Sequence, residues 1–148
     1  MLHDAGALAD RSHHLAGIAF GDADFYRWVA DTDFCRFGDA FETHGHTSLA
    51  ATTGFVSINS ALEIDLSGAL NIEWLGDQRI SSLGGAPDYM ARAAASEGGR
   101  SIVALPATSR GASRIVARLP PERVSLDGRL TDWIVTQHGA VQVKGLKD

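Results

Sequence analysis

The chain has 148 residues, 45% of them hydrophobic and 21% charged, a size and balance that fit one globular domain over 1–148 and exclude a disordered chain. A formal charge of −5 and the lack of any dense Lys/Arg cluster argue against nucleic acid as a partner. No apolar run approaches the length of a membrane span, and MLHDAGALADRSHH lacks the basic start and apolar core of a signal peptide, so a cytoplasmic protein without membrane contact is expected. Cys35 is the single cysteine, so there is no internal disulfide.

In chain order, LAGIAFG (15–21) has the look of a short buried strand. DADFYRWVAD (22–31) follows, with Phe25, Trp28 and Val29 at helical spacing behind acidic start residues. The period then changes. Residues 54–76 hold two β-rich runs separated by Ser67-Gly68, a hairpin signal in which Leu62, Ile64 and Leu66 alternate with Glu63 and Asp65. That alternation predicts a buried apolar face and a wet acidic one, and Asp22/Asp24 are likewise expected to be solvated.

GGAPDYMARAAASEGG (84–99) places one Gly pair before and one after a small-residue helix, with Pro87 suited to the first turn. A helix start of that kind offers free backbone N–H groups and a positive dipole end, which would stabilise a phosphate or a carbonyl oxygen gaining negative charge. A tight turn with no ligand is the alternative for the same residues. Beyond it SIVALPA (101–107) reads as a strand covered on both faces, and ASRIVARL (112–119), ERVSL (122–126) and TDWIVTQHG (131–139) as further strands. Helices punctuate the first half and strands dominate the second, the pattern of an α/β layered domain with a mixed sheet.

The histidines do not form a metal motif: His44 and His46 flank Gly45 and His13 adjoins His14, without an HExxH-type spacing or cysteines beside them. Trp28, Trp74 and Trp133 are read as core or interface anchors rather than a stacking platform for adenine.

Taken together and in order, FVSINSALEIDLSG, GGAPDYMARAAASEGGRSIVALPAT, SRIVARL and DWIVTQHGAVQVKG resemble the C-terminal domain of the acetyl-CoA hydrolase and CoA-transferase family, from about Leu15 to Lys144. The resemblance implies a three-layer α/β fold of the kind shared by CoA-transferases and sugar-phosphate isomerases. It also implies acyl-CoA chemistry, with a coenzyme A thioester and a carboxylate as substrates and no permanently bound cofactor. In that family a glutamate attacks the acyl-CoA carbonyl, forms an acyl-glutamyl anhydride and then a glutamyl-CoA thioester, and a carboxylate or water resolves it.

The family motif that carries the glutamate, Gly-x-x-x-[Ser/Thr]-Glu, has no counterpart here, and LHDAGALA resembles the segment just downstream of it. A second chain supplying the nucleophile is the expectation, and the end at Asp148 likewise reads as short of the family's last helices. By resemblance Asn59 matches an active-site Asn, and Gly84 and Gly85 match a Gly-Gly loop with an oxyanion donor. His44 falls where Thr-His-Asp-Pro is frequent, which implies a structural or substrate-side histidine, and Lys144 stands for an Arg; both are candidates, with Asn59 and Gly85, for binding the substrate or CoA. Ala86 replaces a polar residue after the Gly pair. Gln137, in TQHG, replaces the second carboxylate of Thr-Glu-x-Gly; it can hydrogen-bond but cannot exchange a proton as Glu does. Arg110, in a loop shorter than the family's, is a candidate phosphate contact.

Three readings follow. One is a subunit of a split CoA-transferase or acyl-CoA hydrolase, one a non-catalytic acyl-CoA-binding or scaffolding relative, and one an enzyme of altered thioester chemistry.

Overall fold

The computed structural model describes residues 5–6, 14–45 and 52–145, which fall into two compact units, 1–48 and 49–148. In the first unit, β1 (His14–Ala16) pairs in parallel with β2 (Cys35–Phe37). α1 (Ala23–Asp31) starts where the sequence places it, because the Asp22 carboxylate accepts from Phe25 N at 2.9 Å and satisfies an otherwise unpaired helix-start donor. Asp39 caps α2 (Ala40–His44) in the same way through Glu42 N. Trp28 stacks on Phe25 and tilts against Phe34, with centroids 6.0 and 5.7 Å away, and is an anchor of this unit. Asp22 and Asp24 are exposed as expected. The strand over 15–21 is shorter than its apolar run: pairing ends at Ala16, and Phe20 beyond it is 79% exposed.

The second unit is built on a four-stranded mixed sheet in the order β13-β12-β8-β3. β3 (Val56–Ser60), β8 (Arg100–Ala104) and β12 (Trp133–Thr136) run parallel, and β13 (Gly139–Gln142) returns antiparallel to β12. Between β3 and β8 the chain forms β4 (Glu63–Asp65), β5 (Leu70–Asn71), β6 (Trp74–Leu75), β7 (Gln78–Arg79) and α3 (Ala86–Ala95). β9 (Thr108–Ser109) and β10 (Ala112–Ser113) form a hairpin whose turn carries Arg110 at φ 50° and Gly111 at φ 80°. β11 (Ile115–Val116) joins β4 in parallel, completing a three-stranded sheet β11-β4-β5. The α/β class with a mixed sheet is the one the sequence indicates.

α3 covers one face of the main sheet. Ala86 and Met90 from the helix, Val103 and Ile134 from the sheet, and Ile64, Leu70 and Leu105 from the connections form one buried cluster. The apolar segment 101–107 is not covered on both faces: Ser101 and Val103 are buried, while Ile102 and Ala104 on the other face are partly exposed. Among the described residues no helix is long and apolar enough to cross a membrane.

Two other expectations are corrected. ERVSL is not a strand, because Pro120-Pro121 leads into a 3-10 turn over Pro121–Arg123, and Leu126 alone bridges to Leu70. The hairpin at Ser67-Gly68 is present, with Glu63 opposite Asn71 and Gly68 at φ 83°, but its wet and dry faces are not those of a regular strand. Leu66 is 76% exposed and Asp65 is buried. The strand ends at Asp65, so its side chain serves the turn. Oδ1 accepts from Ser67 N (2.9 Å), Ser67 Oγ (2.6 Å) and Ala69 N (3.1 Å), and Oδ2 accepts from Leu119 N (3.0 Å), which ties in a segment 54 residues away.

Burial pushes the Asp65 carboxyl up, but the hydrogen bonds from Leu119, Ser67 and Ala69 together outweigh it and hold the group below the usual carboxylate value. Its folded pKa therefore lies below its unfolded one. The stabilisation is complete above the unfolded value, near 3.8, and is lost as pH falls through the folded value. Asp65→Ala strands four donors and is expected to cost about 2–4 kcal/mol in urea unfolding at pH 7. Asp65→Asn should flatten the acid limb of stability against pH, and an unchanged acid limb would contradict this role.

Candidate functional site

The crossover fixes which end of α3 faces which edge of the sheet. At the start of β3, Gly54 N donates to Glu97 O (2.8 Å) and Phe55 N to Ser96 Oγ (3.1 Å), so the end of the helix sits beside the beginning of the strand. A ten-residue helix rises about 15 Å and five strand residues span about 13 Å. Running back along the sheet, α3 therefore begins near the C-terminal edge of β3 and β8, the edge at which open α/β sheets bind ligands.

That beginning is the Gly84-Gly85 turn. Gly84 is exposed at φ 54°, with open space where a Cβ would stand, and Gly85 is the helix N-cap with no side-chain cap bond. Ala86 N turns back to Leu83 O, whereas the N–H groups of Gly84 and Gly85 have no hydrogen-bond partner among the described residues. Ala86 is buried in the core cluster, so its methyl group packs inward where a polar side chain would face the loop.

Asn59 lies at the same edge. The register aligns it with Val103, and Val103 with Ile134, so all three share the face that α3 covers. Asn59 is partly exposed and its Nδ2 donates to Ser57 Oγ at 2.6 Å. Gln137 stands in the two-residue turn between β12 and β13, again at the C-terminal edge. Its Oε1 accepts from Ala107 N at 2.9 Å, which ties that hairpin tip to the chain leaving β8, and its Nε2 lies 3.2 Å from His138 Nε2. Because a backbone N–H can only donate, the amide orientation of Gln137 is fixed. The structure thus brings Asn59, the Gly84-Gly85 turn and Gln137 to one edge of one sheet.

Lys144 is not brought to that edge. It follows β13 where that strand has run back past Trp133, at the N-terminal end of β12, and its Nζ pairs with Asp132 Oδ1 at 3.1 Å. His44 ends α2 in the first unit, with Nδ1 2.6 Å from Thr43 Oγ1. Arg110 occupies the exposed β9–β10 turn. His13 and His46, and most of LHDAGALA, lie outside the described residues. Among the described residues no group of three His, Cys, Asp or Glu side chains could hold a metal.

Two carboxylates that the sequence reading did not single out as buried are structural. Asp132, 4% exposed, accepts from Ser101 N at 2.9 Å through Oδ2. Glu73 pairs with Arg79, whose hydrogen bond holds the Glu73 carboxyl below its usual value despite the opposing effect of burial. The readable signal for Asp65 was its own turn sequence, Asp-Leu-Ser-Gly, in which an Asp accepts from the backbone two residues on. Ser57 carried the signal of standing two residues from Asn59 on a strand.

Residues 21–148 match the family described as "Acetyl-CoA hydrolase/transferase C-terminal domain", and the chain belongs to this family. It is similar to the butyryl-CoA:acetate CoA-transferase of Anaerostipes caccae, 31% identical over 143 residues that cover 93% of this chain and 32% of that protein. It is also similar to the 4-hydroxybutyrate coenzyme A transferase of Clostridium kluyveri, 36% identical over 95 residues, or 61% of this chain and 22% of that protein. Among solved structures, RipA from Yersinia pestis superposes with a TM-score of 0.77 at 35% identity, covering 93% of this chain and 32% of RipA. The 4-hydroxybutyrate CoA-transferase of Porphyromonas gingivalis gives 0.66 at 26% identity, with 91% and 30% covered. The chain thus spans about a third of the length of the relatives it matches.

The Asp132–Lys144 pair gives a stability test separate from any activity. Lys144 is mostly exposed, so Lys144→Met is expected to cost less than about 1 kcal/mol. Asp132→Ala removes the acceptor of the buried Ser101 N–H and should cost about 1–3 kcal/mol in the same denaturation assay. Equal losses in both variants would contradict this division.

Proposed function

We propose that this chain supplies the oxyanion loop and part of the acyl-CoA site of a CoA-transferase or acyl-CoA hydrolase, while a separate Glu-bearing chain supplies the nucleophile. The observation that carries the proposal is the Gly84-Gly85 turn, whose N–H groups have no partner among the described residues, beside the edge that holds Asn59. Family membership and the similarity to CoA-transferases support it.

In this reading the partner's glutamate carboxylate adds to the thioester carbonyl of acyl-CoA, and the carbonyl oxygen becomes an oxyanion that the Gly84 and Gly85 N–H groups stabilise at the positive end of α3. Collapse expels the CoA thiolate and leaves an acyl-glutamyl anhydride. The thiolate then adds to the glutamyl carbonyl and releases the first carboxylate, giving a glutamyl-CoA thioester. An incoming carboxylate repeats the exchange in reverse, or water hydrolyses the thioester. Asn59 holds the acyl or thioester group through its amide. Gln137 contributes a hydrogen-bonding amide and no proton transfer.

A second reading, a non-catalytic acyl-CoA-binding relative, is favoured by one observation: the amide oxygen of Gln137 is committed to Ala107 N, where a catalytic carboxylate would have to be available.

Turnover in the assembly with the Glu-bearing chain separates the two. Asn59→Ala and Gly85→Val should each lower kcat/KM while leaving assembly intact; Gly85→Val keeps its backbone N–H and acts by crowding the loop with a side chain, and misplacing a contact near the reacting atoms can cost up to about a hundred-fold. Wild-type turnover in both variants would sink the catalytic reading. CoA binding without turnover in any assembly would establish the second.

A further inference from the structure

We infer that Ser57 is a positioning residue for Asn59, an inference that rests on the function proposed above. Ser57 and Asn59 stand two residues apart on β3 and so on the same face of the sheet. The 2.6 Å bond from Asn59 Nδ2 to Ser57 Oγ commits one amide N–H back along the strand. In a planar amide the carbonyl oxygen lies on the other side of Cγ, so the acceptor Oδ1 is the atom turned away from Ser57. Without that bond the amide of a partly exposed Asn is free to rotate about a broad two-fold torsion and to exchange its acceptor for its donor at the edge.

The surroundings of Ser57 give its hydroxyl no evident duty in folding. It is 3% exposed, beneath the face that α3 covers, and Ser101 lies opposite it in register. Ser101 is fully buried, and its Oγ has no hydrogen-bond partner among the described residues. The next row of the sheet on this face sets Asn59 beside the apolar Val103 and Ile134. A buried hydroxyl costs free energy unless it is hydrogen-bonded, and alanine would fill this position without that cost. Among the described residues, accepting from Asn59 is the hydrogen bond that this hydroxyl makes.

The test compares Ser57→Ala, Asn59→Ala and the double variant in the assembly with the Glu-bearing chain. Misplacing a contact near the reacting atoms can cost up to about a hundred-fold, so Ser57→Ala should lower kcat by about ten- to a hundred-fold with little change in KM or melting temperature. If Ser57 acts through Asn59, the double variant is no slower than Asn59→Ala alone. In the chain by itself, the side-chain amide resonances of Asn59, assigned by their loss in Asn59→Ala, should shift in Ser57→Ala. Slow Asn59→Ala with normal Ser57→Ala overturns the inference and leaves the proposed site standing, and so do multiplicative losses in the double variant. Normal turnover in Asn59→Ala removes the proposed role of Asn59 and this inference with it. Failure of Ser57→Ala to fold would make the hydroxyl structural and also overturn it.

Discussion

The parallel pairing of β3 with β8 is the constraint on which the candidate site depends. Two adjacent strands can run in the same direction only if the chain is carried back from the end of the first to the start of the second, and α3 does so across the face that Val103 and Ile134 present. The bonds from Gly54 and Phe55 to the end of the helix fix the other end by its length alone. The helix start, whose Gly84 and Gly85 N–H groups have no partner among the described residues, is thereby delivered to the edge where β3 presents Asn59 and the β12–β13 turn presents Gln137.

Buried carboxylates secure the connections around this framework. Asp65 gathers donors from its own turn and from Leu119, and Asp132 holds Ser101 at the beginning of β8 while pairing outward with Lys144. Both stand beside short strands, where ladder hydrogen bonds are few and the irregular backbone needs other acceptors. Among the described residues, the buried Asp65, Glu73 and Asp132 are met by backbone donors, the Ser67 hydroxyl and basic side chains.

Much of the local structure was legible because it follows from single residues. Pro87 behind a Gly pair marked the start of α3, Asp22 marked the start of α1, and Ser67-Gly68 marked a hairpin. What escaped the sequence depended on where a strand stops. Alternation predicted a wet Asp65 and a buried Leu66, but β4 ends at Asp65, so the period-two rule no longer applies one residue later. Pro120-Pro121 turned an apolar segment into a 3-10 turn for a comparable reason. The candidate site was legible mainly through ordered motifs shared with a family. Asn59, Gly84, Gly85 and Gln137 meet at one edge, whereas Lys144, equally plausible by motif, is carried to the opposite edge by the return of β13. Spacing along a chain does not reveal which end of a hairpin a residue reaches.

The central claim is that chemistry requires this edge and a glutamate from another chain. Its most direct test is to purify this chain together with a CoA-transferase N-terminal domain that bears the family glutamate and to assay acyl-CoA turnover for the mixture and for each part alone. The account predicts turnover only in the mixture, with a borohydride-sensitive glutamyl-CoA thioester trapped on the added domain. Turnover by this chain alone, or a stable assembly that binds acyl-CoA and forms no such thioester, would contradict it.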